Sequence, residues 1–361
     1  MTQTPEGTAR PGGRLRAVLT GLLVLAAAGG LALGVRPLVA PPEQAPPVAL
    51  SPVPTDAPAP AVTTPPAAEP TPAPEATAPA PPPEPEPTQP PPAPPIDPRL
   101  RPFVGLSTWI DIYDIELTPA EQIQRAAAGG VQLIYVQSAR HKSPTDIQDA
   151  DRLGQVYELA HDAGMQVMVW YVPDFVRDRR DLRRSQAAIA FQSPRGDRAD
   201  AFGLDIEIED NPDPADRSRR LIALSRRLRE WVGPDYPMAA VVLPPLQLDL
   251  RPGWWPNFPW AQIRPYYDVF IPMSYSSFRG TDRRTTYRWN VGNVVEMRRL
   301  TGDPTLPVHI AGGIADNFPE VGAFVRAVRD TDALGGGLYD LHTTQPEAWP
   351  ALRRLRVDPP G

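Results

Sequence analysis

The 361-residue sequence has no cysteine and only one lysine, Lys142, so arginine supplies nearly all of its positive charge. Without cysteine the chain cannot form disulfides, thiolate metal sites or thiol nucleophiles, and it remains compatible with export. The formal net charge is −6, and no basic run with interleaved aromatic residues occurs. We therefore expect no nucleic-acid partner.

Nucleotide-binding and serine-hydrolase motifs are also missing. No P-loop or dinucleotide fingerprint is present, and Ser107, Ser274 and Ser276 lack a G-x-S-x-G setting. We therefore expect no cofactor. A His/Asp metal site can be drawn from the acidic and histidine residues that follow predicted strands, but no H-x-x-x-H spacing supports it, so we expect no metal. Its members would be Asp111, His141, Asp340 and His342.

The N-terminal region contains a single long apolar run. Arg14 and Arg16 precede residues 17–35, which carry no charge and would span roughly 28 Å as a helix. This predicts a single-pass anchor within residues 1–36, with the N-terminus in the cytoplasm and the rest of the chain outside the cell membrane. The alternative is a cleaved signal peptide followed by secretion.

Residues 37–98 are dominated by proline and alanine, with almost no aromatic or large aliphatic residue. Such a segment cannot bury a core, and we expect a disordered, extended linker of polyproline character. It would hold the following domain away from the membrane.

Residues 99–361 alternate between strand and helix patterns, and their number suits one (β/α)8 TIM barrel. The predicted helices include one that opens with the capping box of Thr118 and Glu121, and helices near residues 149–163, 181–191, 214–231, 298 and 324. We expect a monomer. The predicted strands are residues 103–110, 131–137, 166–172, 201–210, 238–243, 268–274, 306–311 and 336–341.

The predicted fourth strand is unusual, because its apolar residues alternate with Asp205, Glu207 and Glu209. A period of two places the three carboxylates on one face, about 6.5–7 Å apart. If both faces of the sheet are covered, these groups are desolvated and repel one another. We interpret them as catalytic residues; the alternative is a solvated or arginine-paired face.

In a TIM barrel, functional residues lie at the C-terminal ends of the strands. The residues predicted there are mostly carboxylates, aromatics and amides, a mixture that suits the hydroxyls and C–H faces of a carbohydrate. His309, within the seventh strand, is predicted to be a satisfied core residue. The predicted substrate-binding residues are Asp111, Trp109, Gln137, Tyr171, Asp174, Tyr275, Asp340 and His342.

The segment 203–209, Gly-Leu-Asp-Ile-Glu-Ile-Glu, resembles the D-G-x-D-x-D-x-E signature of the family-18 glycoside hydrolases, the chitinase family. The resemblance implies that Glu209 is the general acid, with Asp205 and Glu207 at the two preceding acidic positions. Residues 273–276, Met-Ser-Tyr-Ser, resemble the family's M-x-Y-D motif, and this implies that Tyr275 contacts substrate.

Three positions depart from the family pattern. Phe202 replaces the first aspartate, Glu207 is longer than the expected aspartate, and Ser276 replaces an aspartate. The resemblance implies that the substrate's own acetamido group attacks while Glu207 orients it. The alternative is that a carboxylate of another strand, Asp111, Asp174 or Asp340, completes the pair.

Together these observations predict a membrane-anchored glycoside hydrolase that acts on an extracellular or cell-envelope polysaccharide. Two alternatives remain. The pair Asp205 and Glu207 also resembles the D-x-E of family-25 lysozymes, which implies a muramidase. The substitutions at Phe202 and Ser276 favour a non-catalytic barrel that binds glycans as a scaffold.

Overall fold

The computed structural model describes residues 96–208, 210–280, 282–313 and 318–357, without the side chains of residues 318 and 319. The predicted anchor and nearly all of the linker lie outside the described residues. Within the described part of the chain, no helix is both long and apolar enough to cross a membrane.

Eight parallel strands in the described residues form one sheet, and each is followed by helical structure. The order around the sheet is β6-β5-β4-β3-β2-β1-β8-β7. Parallel bridges join Phe270 to Val308 and Met273 to Ala311, so β6 and β7, the strands at the two ends of this order, also meet. The fold is a nearly closed (β/α)8 TIM barrel, as predicted. The strands are β1 (Gly105–Ile110), β2 (Leu133–Arg140), β3 (Gln166–Val172), β4 (Ala201–Ile206), β5 (Met238–Val242), β6 (Val269–Pro272), β7 (His309–Gly312) and β8 (Gly335–Leu338).

The helices surround the sheet, and their ends follow local sequence signals. Thr118 and Glu121 form the predicted reciprocal capping box at the start of α1, and Gly130 ends that helix in a left-handed conformation. The α-helices of the described residues are α1 (Pro119–Gly129), α2 (Ala150–Asp162), α3 (Asp178–Ala190), α4 (Pro214–Val232), α5 (Pro245–Leu250), α6 (Trp260–Ile263), α7 (Arg283–Thr301), α8 (Phe318–Asp330) and α9 (Trp349–Leu352).

The barrel is closely packed where β8 meets β1. A Cβ atom added to Gly337 would lie 2.0 Å from the backbone oxygen of Ser107, so only glycine fits there. His309 of β7 lies nearby, entirely buried. Its Nε2 is 2.7 Å from Ser107 Oγ and its Nδ1 is 2.8 Å from the carbonyl oxygen of Phe103. The prediction of a satisfied core histidine is confirmed.

The fourth strand is shorter than predicted. It ends at Ile206, so Glu207 lies in the segment that follows the strand, and Glu209 lies outside the described residues. Leu204 and Ile206 are fully buried. In register, Asp205 pairs with Val241 of β5. The prediction that one continuous strand covers residues 201–210 is therefore wrong in its C-terminal half, because the ladder with β5 stops at residue 206.

Candidate functional site

Two carboxylates lie at the end of β4, where Asp205 is buried and Glu207 is half-buried. Asp205 is 5% exposed, and its Oδ1 accepts no hydrogen bond from the described residues. Burial raises the pKa of Asp205 well above its ordinary value, and the charge of neighbouring Glu207 raises it further. Burial raises the pKa of Glu207 to about 7, although the positive charge of Arg140 opposes this. The pair therefore releases its protons at higher pH than exposed carboxylates do.

Tyr275 follows β6 and marks the centre of the site. Burial raises the pKa of its phenol, and four surrounding carboxylates raise it further: Glu207, Asp205, Asp340 and Asp111. Carboxylates from β4, β8 and β1 thus act on a single hydroxyl. Because this phenol stays protonated, it can donate a hydrogen bond to a ligand oxygen.

Three carboxylates after β1 and β8 form a second acidic group. One oxygen each from Asp111, Asp114 and Asp340 lie within 4.8 Å of one another. Burial first, and then the charges of Asp340 and Asp111, raise the pKa of Asp114 to about 8. This oxygen-only set could hold a hard divalent cation, but protons on the carboxylates relieve the same repulsion. We call Asp111, Asp114, Asp205, Glu207 and Asp340 the mouth carboxylates.

Aromatic side chains form a layer inside the barrel. The Trp109 ring lies 5.0 Å from that of Tyr135, 5.7 Å from that of Trp170 and 6.0 Å from that of Tyr339. The Tyr339 ring is 5.9 Å from Tyr275, and the Tyr339 hydroxyl donates to Asp111 Oδ2 at 2.7 Å. The layer therefore connects the barrel interior to the mouth carboxylates.

Three polar tips of this layer are buried without hydrogen-bond partners among the described residues: Trp109 Nε1, Trp170 Nε1 and the Tyr135 hydroxyl. Native structures pair most buried donors, so such a group of unused donors indicates a place where a ligand can supply acceptors. Carbonyl and hydroxyl oxygens of a sugar are suitable acceptors.

The loop after β2 reaches the segment that follows Glu209. His141 is 3% exposed, and its Nε2 lies 3.1 Å from Asp210 Oδ2. Lys142 Nζ lies 3.3 Å from the same oxygen. Burial lowers the pKa of His141 to about 4, so the ring is neutral at pH 7. Neither His141 nor Asp210 belongs to a cluster of possible metal ligands in the described chain.

The structure brings together only part of the predicted binding set. Trp109, Tyr275, Asp111 and Asp340 belong to the arrangement around the mouth. Gln137 accepts a hydrogen bond from Ile112 N at 3.2 Å, which fixes the loop that carries Asp111. His342 lies apart, on the loop after β8, with Nε2 3.9 Å from Glu116.

Tyr171 and Asp174 instead make hydrogen bonds and an ion pair to α3 and the loop before it. The fully buried Tyr171 donates its hydroxyl hydrogen to Asp181 at 2.8 Å. Asp174 accepts from Val176 N at 2.9 Å and pairs with Arg180 at the start of α3. Burial acts to raise the pKa of Asp174, but the Arg180 bond and the Val176 N–H outweigh it, and the pKa is lowered.

Several residues of the site were not among the predicted site residues. Tyr135 and Trp170 lie within strands, but the period of two places Tyr135 on the same face as Gln137, and that alternation was the available signal. Arg140 ends β2, whereas Asp114 and Tyr339 follow strands, and spacing alone did not distinguish the three from other rim residues. Their roles depend on contacts between loops distant in sequence.

The chain is similar to solved structures of glycoside hydrolases. It matches the glycoside hydrolase domain of PgaB (BpsB) from Bordetella bronchiseptica with a TM-score of 0.52 and 13% identity, over 71% of this chain and 100% of that one. It matches a family GH18 chitinase from Cycas revoluta, solved with allosamidin, with a TM-score of 0.51 and 12% identity, over 69% and 98% of the two chains.

A plant class V chitinase mutant from Cycas revoluta, solved with (GlcNAc)3, gives a TM-score of 0.51 and 13% identity over 69% of this chain and 98% of that one. No family model and no curated protein sequence matches. The shared feature is the fold, a barrel like that of the family-18 enzymes and related glycoside hydrolases.

Proposed function

We propose that the protein is a glycoside hydrolase that cleaves a polysaccharide of N-acetylated amino sugars outside the cell membrane. The observation that carries the proposal is the pair Asp205 and Glu207 at the end of β4, whose pKa values are raised and whose charges act on the phenol of Tyr275. A barrel like that of the chitinases supports the same substrate class.

In the proposed reaction, Glu209 donates a proton to the leaving glycosidic oxygen while the C1–O bond breaks. The acetamido carbonyl oxygen of the substrate forms a bond to C1, and a water molecule, deprotonated by Glu209, later displaces it. Glu207 precedes Glu209 by only two positions in the sequence, so we expect the two to be poorly placed to flank a sugar in the 5–5.5 Å arrangement of a protein nucleophile. Substrate assistance avoids that requirement.

We propose that Glu207 and Asp205 stabilise the positive charge that this attack creates. When the acetamido nitrogen becomes positive, a carboxylate beside it stabilises the charge, and the proton shared by the pair can move toward Asp205. The long Glu207 arm places its carboxylate about one C–C bond further than an aspartate would. We therefore expect Glu207→Asp to be impaired rather than improved.

The unused donors of the aromatic layer support an acetamido substrate. Trp109 Nε1 and the Tyr135 hydroxyl are buried and have no hydrogen-bond partner among the described residues. An acetamido group offers a small methyl for the aromatic rings and a carbonyl oxygen for these donors. A neutral sugar hydroxyl would supply the oxygen without the methyl.

The test is Glu209→Gln with reducing-end release measured on chitin oligosaccharides, poly-N-acetylglucosamine and peptidoglycan. We expect wild type to release reducing ends from at least one substrate, and the variant to be slower by about 100-fold or more, since it has no proton donor. Glu230→Gln, on the exposed face of α4, is the matched control and should retain activity. Equal rates for wild type and Glu209→Gln would contradict the assignment.

The same assay separates the alternatives. Binding of these glycans by wild type without any product would favour the scaffold, for which the substitutions at Phe202 and Ser276 argue. A muramidase would leave N-acetylmuramic acid at the new reducing end of peptidoglycan, whereas an N-acetylglucosaminidase would leave N-acetylglucosamine there.

We also propose that residues 1–36 anchor the protein in the cell membrane with the barrel outside, and that the linker spans part of the envelope. The positive flank of Arg14 and Arg16 and the apolar run support this. Detection of full-length protein in the membrane fraction would support the anchor. A shortened chain in the medium would favour the secreted alternative.

A further inference from the structure

We infer that Arg251 and Arg279, on the loops after β5 and β6, form a subsite beside the mouth for a carboxylate group of the glycan. Because the subsite rests on the proposed glycan substrate, it deepens that function and names the substrate as an acidic polysaccharide. Neither arginine takes part in the proposed bond cleavage. The two therefore select the substrate and do not act on the reacting atoms.

Each of the two arginines lies over the ring of a tryptophan. The Cζ atom of Arg251 is 4.7 Å from the ring centroid of Trp254, and that of Arg279 is 4.8 Å from the ring centroid of Trp289. Both arginines are otherwise exposed. The ring attracts the guanidinium and restricts its motion, while the N–H groups at the edge of the guanidinium can still donate hydrogen bonds.

The two arginines lack the polar partner that another stacked arginine of this chain has. Arg326 of α8 lies 5.0 Å from the ring centroid of Tyr287 and also pairs with Asp330 at 3.0 Å. Arg251 and Arg279 make no side-chain hydrogen bond or ion pair with any described residue. Their N–H donors are therefore available to an anionic ligand.

The loops that carry the two arginines are neighbours. The helix α5 ends just before Arg251 and contacts α7, which carries Trp289, because Leu246 N donates to Asn293 Oδ1 at 3.1 Å. Burial lowers the pKa of Arg279, and the positive charge of Arg251 lowers it further. The two charges are thus close enough to repel each other, and an anion bound between them would relieve that repulsion.

The acidic residues nearest in the sequence do not pair with either arginine. Asp282 caps α7, where its carboxylate accepts from the N–H groups of Arg284 and Thr285, both at 3.0 Å. Asp249 precedes Arg251 by two positions and makes no ion pair with it in the part of the chain that the structure describes. The positive charge of the subsite is therefore not compensated by an ion pair within these loops.

Arg279 lies one turn beyond the centre of the mouth. Its backbone N–H donates to the carbonyl oxygen of Ser276 at 2.8 Å, in the turn that follows Tyr275. Phe278 is 59% exposed, and its ring lies 6.1 Å from that of Tyr275. An exposed aromatic ring thus lies between the mouth and the arginine pair, where it can contact the C–H face of a sugar whose carboxylate meets the arginines.

The surrounding charges favour a sparsely charged glycan over a nucleic acid. The mouth carboxylates repel anions, and a nucleic-acid strand carries a phosphate about every 3.4 Å, so it would bring several charges close to them. A glycan with one carboxylate in each disaccharide can place that group on the arginines and a neutral amino sugar at the mouth. The planar guanidinium also matches a carboxylate through two parallel hydrogen bonds.

The first experiment measures binding to wild type by isothermal titration calorimetry with two hexasaccharides. One comes from hyaluronan, in which N-acetylglucosamine alternates with glucuronate, and the other comes from chitin and contains N-acetylglucosamine alone. We expect the hyaluronan hexasaccharide to bind about 10-fold more tightly or more. Mass spectrometry of the recovered ligands checks that they stay intact. Equal affinities would overturn the inference.

The second experiment removes the two positive charges. Arg251→Gln combined with Arg279→Gln should lower the affinity for the hyaluronan hexasaccharide about 10-fold or more, and that for the chitin hexasaccharide less than about 2-fold. The matched control combines Arg227→Gln and Arg329→Gln, which remove two exposed arginines from α4 and α8, and it should bind like wild type. Unchanged binding of hyaluronan by the first double variant would contradict the subsite.

A thymidylate hexamer distinguishes an acidic glycan from polyanions in general. We expect it to bind more weakly than the hyaluronan hexasaccharide at the same salt concentration. If it bound as tightly or more tightly, and lost that affinity in the Arg251 and Arg279 double variant, the arginine pair would be a surface for nucleic acids or for any polyanion. That result would overturn the assignment to a glycan carboxylate.

The outcomes also separate this subsite from the proposed function. On a carboxylate-bearing substrate, the Arg251 and Arg279 double variant should raise KM about 10-fold with kcat nearly unchanged, since neither arginine acts on the breaking bond. If wild type binds hyaluronan through the arginines but hydrolyses no substrate, the subsite stands and the proposed hydrolase fails. If wild type hydrolyses a neutral substrate but binds both hexasaccharides alike, the hydrolase stands and the subsite fails.

Discussion

Acidic residues near the start of the strands are paired, whereas the mouth carboxylates are not. At the N-terminal end of the strands, Asp268 accepts from Arg229 at 2.7 Å and from Arg99 at 3.1 Å. Near the start of β4, His161 lies between Asp197 and Asp200, at 2.9 and 3.1 Å. At the C-terminal end, the mouth carboxylates make no salt bridge within the described chain. The chain has ample arginine, so the unpaired arrangement is specific to the mouth.

This difference indicates that the unpaired carboxylates at the mouth are an arrangement that does not stabilise the fold. Paired carboxylates favour the folded state, whereas uncompensated buried ones oppose it unless they take up protons. Proton uptake at neutral pH is what a general acid or a proton-sharing pair needs. Changes at the two ends should therefore separate activity from stability.

The largest effect is expected for Glu207→Gln. It removes a carboxylate from the mouth with little change in shape, and we expect kcat to fall about 100-fold or more, with thermal stability equal or higher. Asp303→Asn, which weakens a pair with Arg264 (2.8 Å), is the matched control. The control should lose stability and keep its activity. A stable, fully active Glu207→Gln would remove the contrast between the two ends.

The pH dependence of the free energy of unfolding should also reveal the raised pKa of Glu207 at the mouth. Because burial raises the pKa of Glu207 from 4.5 to about 7, the folded state binds the proton more tightly than the unfolded state. Stability should therefore fall as pH rises from about 4.5 to about 7, and then level off, by on the order of 3 kcal/mol. Urea unfolding at a series of pH values checks this. The slope should diminish in Glu207→Gln, and an equal slope in the variant would assign it to other groups.

The paired end should show the same sign at higher pH, because there the bound proton creates a stabilising charge pair instead of relieving a buried charge. The hydrogen bond that the His161 ring donates to Asp200 is the largest cause that raises the pKa of His161, to about 9. The stabilisation is thus fully present below about pH 6.5 and is lost as pH rises through about 9. His161→Gln should lower the free energy of unfolding by about 1 to 2 kcal/mol at pH 6, with little difference from wild type above pH 9. Its activity should not change.

The smallest effects distinguish two tyrosines that the sequence placed in one group. Tyr171→Phe removes a hydrogen bond to Asp181 and should cost about 1 kcal/mol of stability, with kcat/KM within 2-fold of wild type. Tyr275→Phe should lower kcat/KM about 10-fold without a comparable loss of stability. If the two variants behaved alike in the kinetic assay, Tyr275 would have no special place at the mouth.

The sequence predicted the barrel well because its signals are local. Caps such as that of Thr118, the alternation of strand residues and the apolar faces of helices are all read within about ten residues. The end of β4 was missed because its acidic alternation continues beyond the ladder with β5. Pairing, which stops at Ile206, depends on a strand distant in sequence.

The candidate site was predictable only in part. The acidic positions Asp205 and Glu207 stood out because alternating carboxylates are rare in a buried sheet. Whether Tyr171 faces the mouth or a helix could not be read from the pattern of a fully apolar strand. The contact of His141 with Asp210 could not be predicted from the sequence either, because it joins loops 69 positions apart.

The most direct test of this account is the titration of the Glu207 carboxyl, followed by carbon NMR in the full protein and assigned with Glu207→Gln. The account predicts a midpoint near pH 7, because burial raises the pKa of this group to about 7. A midpoint near 4.5, the ordinary value for glutamate, would show that the mouth is solvated and would contradict its proposed role in proton transfer.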